Sequence, residues 1–512
     1  MSEYFLKFLK SLSAVNNLKR IILSVITLVV VVLLGSSLFA SLGEPQISDR
    51  LELYQTDLVL RATELDPKSL PESQFTAVRK NLLGENPFKT ALEAYQEVRK
   101  SAQTNLDKFQ AQLILPLTDP QRQLFKASQQ QQDLIRQLDL RIGLLQVKEN
   151  QIPAALKTWE TVRSQSEDSP QTATAAALAG LWSDPPQLLP NAEPQIQKHL
   201  EGWFRYQGLT RLYQLQQRTD ALAPLQANAQ ANAQETLVKL AIVSAVPAIG
   251  SVIGIFLLIG FGVQWWRHRR VEKRSLTWEV PWTWETILQV LMVGFFFSGQ
   301  IALPLLIKAL GIDFSAFGGR ASAVNTLIYY VLMATSALTI LYLSIKQYLP
   351  LPEGWFRPTG KRNWFIWGLG GYFVALPLML LVSVVNQQIW QGQGGSNPLL
   401  QIVLEEGDPV ALGMFFFTAA IAAPVFEEIL FRGFLLPSLT RYFPVSGAIA
   451  LSSLIFATAH LSLSEILPLT VLGAILGFVY TRSRGLLSSI MLHSLWNSVT
   501  MIGLFILGSG MD

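Results

Sequence analysis

The chain contains no cysteine in 512 residues. That excludes disulfides, thiolate metal sites and cysteine nucleophiles. Charge is also scarce: Asp, Glu, Lys and Arg make up 15% of the residues, against about 25% in ordinary soluble domains. Basic residues sit beside apolar runs, as membrane topology requires, and form no stripe on a soluble face. Nucleic-acid binding is therefore not expected. Neither G-x-S-x-G nor H-E-x-x-H occurs, which removes the usual settings for a serine nucleophile and a helical zinc site. With only four histidines in the chain, an imidazole inside an apolar run needs an explanation.

What is present is apolar surface. Half the residues are hydrophobic and the mean hydropathy is +0.32, which suits a chain that crosses a membrane repeatedly. Residues 1–20 carry Lys7, Lys10, Lys19 and Arg20, and an uninterrupted apolar run follows from Ile21 to about Ser41. That run exceeds the roughly 7–15 residues of a signal-peptide core, and Leu38-Phe39-Ala40 is a poor cleavage site. Residues 1–43 read as a cytoplasmic N-terminus and a retained signal anchor.

Residues 44–236 differ in kind: polar, rich in Gln and Ala, with almost no strand-like alternation. Amphipathic helices are predicted at 119–146, opened by Asp119-Pro120, and at 152–164. Ile142, Gly143, Ala155 and Trp159 have the spacing of one tetratricopeptide-like helix pair, but such folds need several stacked units. The stretch 183–194 has four prolines and reads as a loop. An extracytoplasmic helical domain is expected here, with a protein partner as one possible role.

From Leu237 onward the pattern is membrane. Spans are predicted near 237–266, 284–306, 322–345, 364–386, 411–436, 446–462, 466–481 and 486–508, most close to the roughly 20 residues a bilayer needs. Residues 237–363 read as accessory transmembrane helices. Arg267, Arg269, Arg270, Lys273, Arg274, Lys346, Arg357, Lys361, Arg362, Arg441, Arg482 and Arg484 follow alternate spans, which puts the N-terminus in the cytoplasm. Lys308 and Arg320 run against that count. Trp265, Trp266, Trp282, Trp284 and Trp364 stand at span ends, where interfacial aromatics are expected. The fold class expected is all-α: a polytopic helical membrane protein of about nine spans, with an extracytoplasmic helical domain inserted after the first.

Inside this apolar region lies Pro424-Val425-Phe426-Glu427-Glu428-Ile429-Leu430-Phe431-Arg432-Gly433. Each charge costs about 2.5–3.5 kcal/mol to insert at the centre of a spanning helix. The segment must face protein or a wet cavity. Glu428 and Arg432 are i and i+4, so an ion pair between them offsets much of that cost. Glu427 is rotated about 100° away and is left to point into a cavity. His460 and His493 arrive on two other apolar segments, and Asn497 follows His493 by one turn. By helix rise, His460 should lie about 20 Å deep against about 14 Å for Glu427, so its helix must tilt or begin late. Carboxylate and imidazole can activate water, and imidazole with an amide can hold an oxyanion. Membrane-embedded Glu and His also make proton relays, but no duplicated half-structure of a transporter is apparent. A non-enzymatic membrane scaffold acting through the outer domain remains the alternative.

Glu427-Glu428…Arg432, Phe456…His460 and His493…Asn497 resemble the three motifs of the CPBP family of intramembrane proteases, which includes the type II CAAX prenyl endopeptidases and Abi-type proteins. The resemblance covers about 364–508, so residues 364–510 are read as a CPBP-like protease domain. It implies an all-helical intramembrane fold and endopeptidase activity on a membrane-associated protein or peptide, a prenylated one or a precursor. It further implies that Glu427 with His460 activates water, that His493 with Asn497 stabilises the oxyanion, and that Glu428 and Arg432 support the site. The family has been described as both glutamate-type and metal-dependent. Asn497 suits an oxyanion better than an ion, so a metal-free reaction is favoured. Zinc held by Glu427, His460 and His493 is the alternative, and no other cofactor is expected.

Overall fold

The computed structural model describes residues 2–42, 46–67, 71–73, 75, 79–113, 119–165, 169–268, 277–311, 318–359, 363–390 and 393–508. The expected topogenic residues Arg269, Arg270, Lys273, Arg274, Lys361 and Arg362 lie outside these. Among the described residues there are helices and no strands. The chain divides into two compact units, Met1–Gln46 with Pro247–Phe505, and Ile47–Val246 with Ile506–Asp512. The border expected at 236 falls inside one continuous helix, Thr219–His268. No proline or glycine stop separates its polar start from its apolar end, so composition changes where the backbone does not.

Among the described residues, eight helices are long and apolar enough to cross a membrane: Asn17–Ser41, Thr219–Arg267, Trp284–Ala309, Gly319–Tyr348, Trp364–Trp390, Pro409–Leu439, Leu463–Ser483 and Leu486–Gly508. The protein is an integral multi-pass membrane protein. One of the nine expected spans, 446–462, differs. Val445–Thr458 has 14 residues, about 21 Å at the α-helical rise, short of a hydrocarbon core of about 30 Å.

Lipid offers no hydrophobic drive for helices to associate, so close packing must do that work. Exposed side chains such as Ile249, Phe256 and Leu381 face outward. An aromatic core lies within the unit. Trp282 is fully buried, 4.4 Å from Trp355 and 5.6 Å from Phe434 between ring centroids, and its Nε1 donates to Ser438 Oγ at 2.9 Å. The interfacial role expected for Trp282 is thereby corrected, because its indole N–H finds a protein partner. Trp265, Trp266 and Trp284 are exposed.

Three stretches of these spans are wide, π-helical turns: Gln289–Ala302, Thr418–Ala422 and Glu428–Leu435. Each ends two residues before a proline, at Pro304, Pro424 and Pro437. A proline within a helix has no N–H to donate, and its ring strikes the carbonyl four residues back. One extra residue in the preceding turn moves that carbonyl aside.

The other unit is helical too. Asp119–Lys148 and Ile152–Gln165 are consecutive helices, and Ile142, Ala155 and Trp159 are buried between them. Trp159 Nε1 donates to Leu140 O at 3.2 Å. A Cβ on Gly143 would stand 2.2 Å from that nitrogen, so only glycine fits.

Candidate active site

The wide turn after Glu427 sets the geometry of the charged segment. Glu428 Oε1 accepts from Arg432 Nη1 at 2.7 Å, and both side chains are fully buried. Arg432 Nη2 donates to Gly473 O at 3.2 Å. Gly473 makes that reach possible: a Cβ there would stand 2.9 Å from the Ser453 Cβ, so the helices carrying them approach closely. The guanidinium also lies 4.6 Å from the centroid of Phe456. The expected i, i+4 ion pair is present, on a π turn instead of an α turn.

His493 is buried beside this pair. Its Nδ1 is 3.0 Å from Glu428 Oε1 and its Nε2 is 3.8 Å from Glu427 Oε2. The ion-paired carboxylate of Glu428 can only accept, so Nδ1 carries a proton, and Nε2 is the ring nitrogen that faces Glu427. Both carboxylates therefore meet one imidazole, although α-helical geometry alone would turn them about 100° apart. Glu427 Oε1 accepts from the Tyr330 hydroxyl at 3.2 Å.

His460 lies in the turn beyond Val445–Thr458. The helix ends two residues before it and the chain turns there. His460 Nδ1 donates to Phe456 O at 3.0 Å, which leaves Nε2 bare. Its ring centroid is 5.0 Å from that of Phe456, and the His493 centroid is 5.8 Å from the same ring. Phe456 thus touches both imidazoles and the guanidinium. Asn497 Nδ2 donates to Ala419 O at 2.7 Å, and that carbonyl belongs to the π turn Thr418–Ala422. One amide N–H is fixed, which orients the rest of the group.

The structure thus gathers Glu427, Glu428, Arg432 and His493, and joins His460 to them through Phe456. Sequence reasoning missed Tyr330 and Gly473. Tyr330 is one of three tyrosines in the apolar helix Gly318–Ile345, outside the three motifs, and no local signal marks it. Both histidines are held through Nδ1, as metal-bound histidines are. Glu427 and His493 converge, but among the described residues no three His, Asp or Glu side chains come close enough to hold an ion. The donor set proposed for zinc does not fit as it stands, and no step below passes through a metal.

The family described as "Type II CAAX prenyl endopeptidase Rce1-like" matches residues 409–499. The chain is 26% identical over 226 residues to "Putative membrane peptidase YdiL" of Bacillus subtilis (strain 168), covering 43% of this chain and 87% of that protein. It is 26% identical over 227 residues to "Membrane-embedded CAAX protease MroQ" of Staphylococcus aureus (strain USA300), covering 43% of this chain and 88% of that protein. No solved structure matches. All three motif pairs lie within the segment, residues 409–499, that matches the Rce1-like type II CAAX prenyl endopeptidase family, which supports the resemblance to the CPBP family.

Proposed function

We propose that this protein is an intramembrane endopeptidase of the CAAX type, hydrolysing a peptide bond of a membrane-associated protein or precursor peptide. The observation that carries the reading is the 3.8 Å approach of Glu427 Oε2 to His493 Nε2, which in the neutral imidazole are two acceptors. A water about 2.8 Å from both satisfies them by donating one proton to each.

Glu427 is then the general base, steadied by the Tyr330 hydroxyl. This changes the pairing expected from the motifs: His493, rather than His460, shares the water with Glu427. Once protonated, His493 Nε2–H can turn to the oxyanion together with the remaining N–H of Asn497. Glu428 and Arg432 fix the imidazole tautomer. Glu427, having taken a proton from the water, returns it to the leaving amine as the C–N bond breaks, with His460, against the same Phe456 ring, placed to relay it through Nε2. A metal-free, glutamate-type reaction follows from these roles. The N-terminus is assigned to the cytoplasm by the distribution of basic residues, and the outer domain to the opposite side.

The test uses purified protein in nanodiscs with a prenylated CAAX peptide and an unprenylated precursor-like peptide, with and without a strong chelator. Glu427→Gln should lower turnover about 10²–10⁴-fold, the range for a lost general base, with an unchanged melting temperature. Chelation should have no effect. Undiminished turnover in Glu427→Gln would overturn the mechanism, and chelator-sensitive turnover would favour the metal-dependent alternative.

A further inference from the structure

His460 stands in a turn that does not hold itself. The helix Val445–Thr458 ends two residues before it, and Leu461, directly after it, has a φ of +59°. A leucine keeps that left-handed conformation only where its surroundings enforce it. The next helix, Leu463–Ser483, opens two residues further on, and the first N–H groups of a helix have no partner within it.

Two segments distant in sequence, both within the unit formed by Met1–Gln46 and Pro247–Phe505, supply what is missing. Leu463 N donates to Ser41 Oγ at 3.1 Å, and Ser464 N donates to Gly394 O at 3.1 Å. Ser462 Oγ donates to the same carbonyl at 3.1 Å. Ser464 Oγ donates to Gly395 O at 2.5 Å. Glu465 Oε1 accepts from Asn397 N at 2.7 Å. Asn397 in turn caps the helix Pro398–Glu405, its Oδ1 accepting from Leu399 N at 3.0 Å. Ser41, Ser462 and Ser464 are buried, so water does not replace a bond lost here. Gly394 is required for the fit: its φ is +99°, and a Cβ would stand 2.9 Å from the Trp390 ring and 3.0 Å from the Ser464 Cβ. Ser41 and residues 394–397 both lie outside residues 409–499, which hold the three motifs.

We infer that this clasp positions His460 for the proton relay, with Glu465 as its main fastener, a positioning residue that none of the three motifs includes. The bond from His460 Nδ1 to Phe456 O fixes the ring against its own helix, and the clasp fixes where the turn carries Nε2. Glu465 reaches past the two glycines to the capped helix, and its bond is charge-assisted, the stronger kind. Its carboxylate also lies within electrostatic reach of His460. A misplacement of about 1 Å in a reacting group lowers turnover by about 10²-fold. The relay rests on the peptidase reading above, whereas the place of the imidazole can be read without any turnover.

The test uses the full chain in nanodiscs with isotope-labelled histidine, read by NMR beside the peptidase assay. The chain has four histidines, and His460→Gln assigns the signal. Glu465→Ala should move and broaden the His460 signal, leave that of His493 in place, and lower kcat about 10²-fold with KM unchanged. Glu465→Gln keeps an acceptor for Asn397 N, so it should hold the signal and retain turnover within about fivefold. Ser41→Ala, which acts through Leu463 N, should move the same signal to a smaller extent, and it carries the test should Glu465→Ala not fold. On a His460→Ala background, Glu465→Ala should lower turnover no further, because it acts through the imidazole. An unmoved His460 signal, a Gln variant as impaired as the Ala variant, or full additivity with His460→Ala would overturn the inference. Equal inactivity of the parent and Glu427→Gln would sink the peptidase reading alone, and the imidazole signals would still decide the clasp.

Discussion

His493 Nδ1 lies 3.0 Å from Glu428 Oε1, and this contact decides which nitrogen of the imidazole faces Glu427. The same oxygen holds Arg432 at 2.7 Å. One buried carboxylate thus neutralises a cation and orients an imidazole.

Glu428→Ala should therefore fail in two separable ways. It leaves Arg432 charged and buried without a counter-ion, which costs about 3–5 kcal/mol when one partner of such a pair is removed. Adding Arg432→Met should restore much of the melting temperature in detergent. It should not restore peptidase turnover, because His493 still lacks its Nδ1 partner. A single variant as stable as the parent would contradict the ion pair's structural role.

Tyr330→Phe removes one hydrogen bond to Glu427 and little volume. Turnover should fall about two- to tenfold, the kinetic equivalent of a net hydrogen bond of about 0.5–1.5 kcal/mol, with the melting temperature unchanged. Tyr330→Ala should be worse, since it also opens space beside Phe426, 6.0 Å away between ring centroids. Full turnover in Tyr330→Phe would remove the tyrosine from the site.

Phe456 is buried against Arg432, His460 and His493. Phe456→Ala should destabilise by about 3–5 kcal/mol and abolish turnover, because both imidazoles lose the wall they rest on. Phe456→Leu should retain most of the stability and lose most of the turnover. Thermal unfolding and a peptidase assay on the same preparations separate the two effects.

The Ile47–Val246 unit should respond to mild acid through His199. Its Nδ1 is 2.8 Å from Thr174 Oγ1. Burial, with Lys198 adding to it, holds the imidazole below its ordinary value of 6.5. The unfolded state therefore binds more protons than the folded one between the folded value and 6.5, and stability rises with pH across that window. Lowering the pH through 6.5 should reduce hydrogen-exchange protection in residues 170–199. His199→Asn should flatten that dependence, and an unchanged profile in the variant would assign it to another group.

Much of this molecule was legible in one dimension. Glu428 and Arg432 are four residues apart, and helical spacing alone pairs them. The apolar runs announce themselves by length, because lipid satisfies no backbone polar group and a crossing segment must be helical. Ile142, Gly143, Ala155 and Trp159 declare a close helix pair by size. The errors arose where local rules met distant partners. Trp282 looks interfacial at the end of a span, yet Ser438, far along the chain, takes its N–H. Val445–Thr458 looks like a crossing until its helix ends before His460.

The amino-acid order by itself determined the helical class, the repeated membrane crossings and the charged, histidine-bearing segments, because period, length and desolvation cost are properties of a segment. Only the tertiary structure decided that Glu427 and Glu428 meet the same imidazole, that Tyr330 joins them, and that Phe456 links His460 to His493. Those relations depend on π turns seated before Pro424 and Pro437 and on how closely Gly473 lets two helices approach. Neither the width of a turn in context nor the distance between two packed helices is written in any one segment.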